Sequence, residues 1–147
     1  MAQLDDEETA AQLFNRCWEL LEMTRDQDGD VELLTAAFSS RYLWLSTGDA
    51  EKQIVSDWMV SRAAASIGDG NLAVLFATRA HAKAQESEIP DWLLASSAEG
   101  VARAYAAIGD VQSFNHWSAL ATRLISVIAD LEDRNLIAGQ LADIAAP

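Results

Sequence analysis

Two stretches of the chain repeat each other, and the repeat leaves little freedom in the fold. Arg62-Ala63-Ala64-Ala65-Ser66-Ile67-Gly68-Asp69 returns 41 residues later as Arg103-Ala104-Tyr105-Ala106-Ala107-Ile108-Gly109-Asp110, with Arg, Ala, Ile, Gly and Asp in register. Each copy ends an apolar run with Gly, which takes the left-handed conformation that closes a helix, and follows it with Asp, which caps the next one. Gly48-Asp49 has the same form. A junction of one or two residues forces neighbouring helices antiparallel, and a repeat of this length means stacked helical hairpins.

The periodicity agrees along the whole chain. Phe14, Cys17, Trp18 and Leu21 recur at helical spacing, as do Leu34, Ala37, Phe38, Tyr42 and Leu45. Ile54, Val55, Trp58, Met59 and Ile67 form a third stripe, Leu72, Phe76, Ala80 and Ala84 a fourth, and Leu93, Val101, Ala104, Tyr105 and Ile108 a fifth. Phe114, Trp117, Ala121, Leu124, Ile125 and Ile128 make the cleanest one, and Leu136, Ile137, Leu141 and Ile144 a short last one. No segment alternates with period two, so no sheet is expected. Pro90 suits the start of a helix. Asp28-Gly29-Asp30 is read as separating the first two helices and Asp130 to Asp133 the last two. The expected fold is all-α, a single domain over 1–147 with about seven helices in antiparallel hairpins: an acidic capping helix over 1–27, then stacked hairpins over 30–147.

Tyr105-Ala106-Ala107-Ile108-Gly109-Asp110 resembles the first-helix ending and turn of a tetratricopeptide repeat, and Ala73, Ala80 and Ala121 fall where that repeat places small residues. The offset of 41 exceeds the usual length of about 34, no Pro closes the unit after Ala121, and Phe114 stands where Ala is expected. Over about residues 38 to 144 the chain is similar to a group of bacterial proteins with tetratricopeptide-like helices and no assigned activity. Ser40-Arg41-Tyr42-Leu43-Trp44, Trp58-Met59-Val60-Ser61-Arg62 and Ile128-Ala129-Asp130-Leu131-Glu132-Asp133-Arg134 carry that likeness, with Pro90-Asp91-Trp92 and the Glu99-to-Arg103 spacing. The resemblance implies a right-handed hairpin stack and a bacterial source, and no chemistry.

Charge narrows the partners. Lys and Arg number 10 against 23 Asp and Glu, a net charge of −13. Duplex nucleic acid and anionic membrane both call for a basic footprint, so neither is an expected partner. The single cysteine excludes an internal disulfide framework and a cysteine zinc cluster. Met1 to Glu8 is acidic with no apolar run behind it, so a cytoplasmic location is expected. Residues 1 to 32 carry ten acids and two bases, which suits a polar cap for the stack or a partner-binding arm.

The candidate site is a groove. In a tetratricopeptide-like stack the first helices line a concave face, and counting back from each turn glycine puts Phe38, Tyr42, Trp58, Arg62, Glu99 and Arg103 near it. Arg62 and Arg103 are equivalent in the repeat, and two guanidiniums in one groove clamp a carboxylate. The competing reading makes Arg62, Glu99 and Arg103 ion pairs internal to the stack. Of the five tryptophans, Trp18, Trp44, Trp92 and Trp117 read as core and Trp58 as a groove residue.

Other signals are weaker. From Asp26, the sixth and twelfth positions of a calcium loop fall on Val31 and Ala37, where Gly and Glu are needed. His81 and His116 lack ligand-spaced partners, and Cys17 reads as a buried thiol. No phosphate loop, metal motif or nucleophile elbow is present. The expectation is a non-enzymatic protein–protein interaction module without cofactor or metal, taking a partner with an acidic segment. The alternative is a small-molecule sensor using the same groove, and a weaker third reading is an enzyme with Glu99 as base. Leu136, Ile137 and Leu141 offer a strip for a homodimer.

Overall fold

The computed structural model describes residues 5–46 and 49–147. Seven helices, α1 (Asp6–Glu22), α2 (Gln27–Leu45), α3 (Ala50–Ser66), α4 (Gly70–Gln85), α5 (Asp91–Ile108), α6 (Val111–Ser126) and α7 (Leu131–Ala142), account for nearly all of them, with no strand among the described residues.

The repeated turn folds the same way twice. Gly68 and Gly109 are left-handed, with φ of 85° and 75°. Behind each, the Asp N–H reaches back to close the helix end: Asp69 to the Ala64 carbonyl at 2.9 Å and Asp110 to that of Tyr105 at 3.1 Å. Each carboxylate then turns forward as a cap, Asp69 accepting from the Leu72 N–H at 3.1 Å and Asp110 from that of Ser113 at 3.0 Å. Asp49 caps α3 in the same manner, while Gly48 lies outside the described residues.

Capping also moves two expected boundaries. Asp28-Gly29-Asp30 is not a linker but the first turn of α2, because Asp26 is the cap and accepts from the Gly29 N–H at 2.8 Å. Gly29 fits there because Arg25 folds over it: a Cβ on Gly29 would lie 2.9 Å from the Arg25 Cβ. Likewise only Asp130 precedes α7, and Glu132 and Asp133 sit in its first turn, where the helix dipole favours acids.

The hairpins are α1–α2, α3–α4 and α5–α6, with α7 unpaired at the end. The pairing therefore begins one helix earlier than a division near residue 27 implies. α1, α3, α5 and α7 also pack one against the next, whereas among the described residues α2, α4 and α6 make no such contacts with each other. A stack whose first helices touch and whose second helices are held apart curves toward the first layer. The core follows this plan. Cys17, Leu20, Leu33, Ile54, Met59 and Leu93 fill the space from α1 to α5. Ala64, Ala73, Ala77, Val101 and Ala104 let α3, α4 and α5 approach closely. Buried serines are satisfied across helices: Ser40 Oγ donates to the Ala10 carbonyl and Ser61 Oγ to that of Ala73, each at 2.8 Å.

α7 is held by the strip expected to serve a dimer. Ile137 is buried with Ala95, Ile125 and Ile128, and Leu141 packs against the same cluster. Of the three residues only Leu136 stands open, because an unpaired terminal helix must use its apolar side to dock. No helix is long and apolar enough to cross a membrane.

Candidate functional site

The concave face is floored by α3 and α5 and walled by α1 and α7. Two adjacent cavities open on it. One, of about 350 Å³, is lined by Arg62, Ser66, Arg103, Ala107 and Leu21, with Ile144 after α7 at its edge. The other, of about 240 Å³, is walled by Phe14, Trp18, Trp58, Trp92 and Leu136, with Asp133 and Gln140 on its α7 side.

Four of the six expected residues meet here. Glu99 is fully buried, and Arg103 one turn on pairs with it: Nε and Nη2 reach Oε1 at 3.0 and 2.5 Å. The Trp58 indole N–H donates to Oε2 at 3.4 Å. Arg103 Nη2 also donates to the Gln140 carbonyl at 3.0 Å, tying α5 to α7. A buried carboxylate stripped of such a partner destabilises a fold by about 3–5 kcal/mol, so Arg103 is a structural cation first. Glu99 has both oxygens engaged and lines neither cavity, which is not the position of a general base.

Arg62 differs, and the repeat explains why. Trp58 and Glu99 are equivalent positions, each four residues before an arginine. Arg103 therefore finds a carboxylate one turn back, while Arg62 finds an indole. The Arg62 guanidinium lies 5.0 Å from the ring centre of Trp18 and 5.5 Å from that of Trp58, a favourable cation–π contact. Among the described residues no carboxylate comes within 4.0 Å of it, and its buried Nη1 has no hydrogen-bond partner. Burial first, then the Arg103 charge, brings its pKa down to about 10, against the pull of Glu99 and Asp143. It stays protonated at neutral pH. The ion-pair reading thus holds for Glu99 and Arg103 and not for Arg62.

Phe38 and Tyr42 lie elsewhere. Both are on α2, a second helix, and so belong to the outer layer: Phe38 packs edge-on against Phe76 of α4 with centroids 5.5 Å apart, and Tyr42 is 75 % exposed. Counting back from Gly48 assigned α2 to the wrong layer, since α1 already starts the first hairpin. Trp18 and Trp92, read as core, wall the apolar cavity instead, each packed on the main core by its other side. The i, i+4 spacing of Trp58 and Arg62 was the available signal for the stacked arginine. Trp58 is itself buried and shows the groove only an edge. Gly100 makes room for it, as a Cβ there would come within 2.8 Å of the indole Cδ1.

The remaining titratable candidates are occupied structurally. His81 is buried, its Nδ1 2.9 Å from Ser97 Oγ and its ring edge-on to Trp117. Cys17 is buried, and desolvation pushes its thiol up to about 11, away from nucleophilic use. No group of three or more metal-ligating side chains occurs among the described residues.

No family model, no curated protein and no solved structure matches this chain. The groove's own geometry is therefore what a functional reading rests on.

Proposed function

We propose that the chain is a non-enzymatic interaction module of tetratricopeptide-like build, whose concave groove takes an acidic, extended segment of a partner protein. The observation that carries this is Arg62. A guanidinium held on two indoles and lining an open cavity, with no carboxylate within 4.0 Å among the described residues, is a positive charge left for an anion from outside. Arg103, in the same cavity, adds a second positive charge.

The test is fluorescence anisotropy with labelled peptide pools, one rich in Asp and Glu and one with Asn and Gln in their place. Arg62→Gln is the matched variant, because Arg103 is needed by Glu99 and its loss confounds folding with binding. The acidic pool binds wild type, the neutral pool does not, and Arg62→Gln weakens binding about tenfold or more with the helical circular dichroism unchanged. Equal binding of the two pools, or by the two proteins, overturns the reading.

A further inference from the structure

We infer that the partner segment presents its acid together with a bulky apolar side chain two residues away, the acid on Arg62 and Arg103 and the apolar group in the indole-walled cavity. This rests on the reading of the groove as a site for an acidic segment, and it names what that segment must contain. Three observations carry it.

The first is adjacency. Trp18 and Trp58 are both the wall of the apolar cavity and the platform under Arg62. The charged point and the apolar wall therefore share the same two rings, the guanidinium lying 5.0 Å from the centre of Trp18 and 5.5 Å from that of Trp58. An extended chain sends alternate side chains to the same side, about 6.6–6.8 Å apart. Residues i and i+2 thus face the two neighbouring cavities together, whereas i and i+1 point to opposite sides.

The second is capacity. The apolar cavity holds about 240 Å³ and is walled by Phe14, Trp18, Trp58, Trp92 and Leu136. It admits a single ring or branched aliphatic side chain. It takes a side chain and not backbone, so the segment's main chain runs across its mouth.

The third is charge, which fixes the direction. Asp133 stands on the α7 side of the apolar cavity, and Arg62 and Arg103 stand in the other cavity. An acid placed near Asp133 is repelled, and one placed at the arginines is attracted. The segment therefore lies with its acid toward the C-terminal turns of α3 and α5 and its apolar residue toward the first turns of α7.

Three decapeptides of Ser and Gly, blocked at both ends so that no terminal charge contributes, separate the possibilities. One carries Asp-Ser-Phe at its centre, one Asp-Ser-Ala and one Asn-Ser-Phe. Binding is read by anisotropy of a fluorescein label and by the emission of the groove tryptophans. Asp-Ser-Phe binds about tenfold or more tighter than Asp-Ser-Ala, as expected for burying one aromatic side chain. Leu136→Ser, which trims an exposed wall residue and leaves the core intact, narrows that advantage. Equal affinity for the two Asp peptides overturns this inference and leaves the acidic-segment reading standing. Equal affinity for Asn-Ser-Phe and Asp-Ser-Phe, or no binding by any peptide, overturns both.

Discussion

Arg62 and His81 show how little of a side chain's role is carried by its identity. Both are basic and both sit on helices of the stack, yet one faces a groove and the other is sealed in. His81 illustrates the sealed case. Ser97 uses its one proton on the Leu94 carbonyl at 2.7 Å, so the His81 Nδ1–H donates to the Ser97 oxygen. Burial lowers the His81 pKa from its ordinary 6.5. The unfolded chain then takes up the proton more readily than the folded one. Stability is fully present above about pH 6.5 and falls as pH drops from there toward the folded value. Thermal melts from pH 7.5 to 5 should show Tm falling with pH, and His81→Asn should flatten that slope; equal slopes would refute it. The sequence made the two arginines legible as a pair because the repeat sets them in register. It did not make their difference obvious, since that rests on whether Trp or Glu stands one turn earlier.

Among the elements, the helices themselves were almost wholly legible. Each apolar stripe lies within a helix, Ile67, Ile128 and Ile144 just past the ends of α3, α6 and α7 excepted, and the turns at Gly68-Asp69 and Gly109-Asp110 close and reopen the chain where expected. The misplacements come from clustered carboxylates. Where several Asp residues follow one another, the earliest that leaves a complete first turn becomes the cap, and spacing alone does not choose among them. The layer of α2 was misread for a different reason, since hairpin pairing depends on which helix comes first and not on any local signal. Two glycines inside helices give opposite expectations. Gly139 of α7 has nothing within 4 Å of where a Cβ would stand, so Gly139→Ala should stabilise by about 0.5–1 kcal/mol. Gly100→Ala drives a methyl into the Trp58 ring and should destabilise by about 1–3 kcal/mol. Urea denaturation measures both, and the same sign for the two would contradict the packing described.

For the whole molecule, the local charge of the groove opposes the global one. A net charge of −13 repels an acidic segment at a distance, while Arg62 and Arg103 attract it on contact. Salt screens separated charges strongly and buried contacts weakly, the Debye length shrinking from about 30 Å at 0.01 M to about 8 Å at 0.15 M. The association rate of an Asp-containing peptide should therefore rise with salt over this range, measured by stopped-flow tryptophan fluorescence. A falling rate would show that the arginines, and not the overall field, govern approach. Much of that field has a modest origin. Six helices begin on an aspartate whose carboxylate receives an N–H of the first turn: Asp5, Asp26, Asp49, Asp69, Asp110 and Asp130. Serine starts a helix about as well as aspartate. Exchanging the six for serine would take the net charge from −13 to −7 with the helices still begun at the same places. Close to half of the acidity is thus punctuation, written into the junctions between helices and repeated as often as the chain turns, so that any protein built by adding such hairpins grows more acidic with every one it gains.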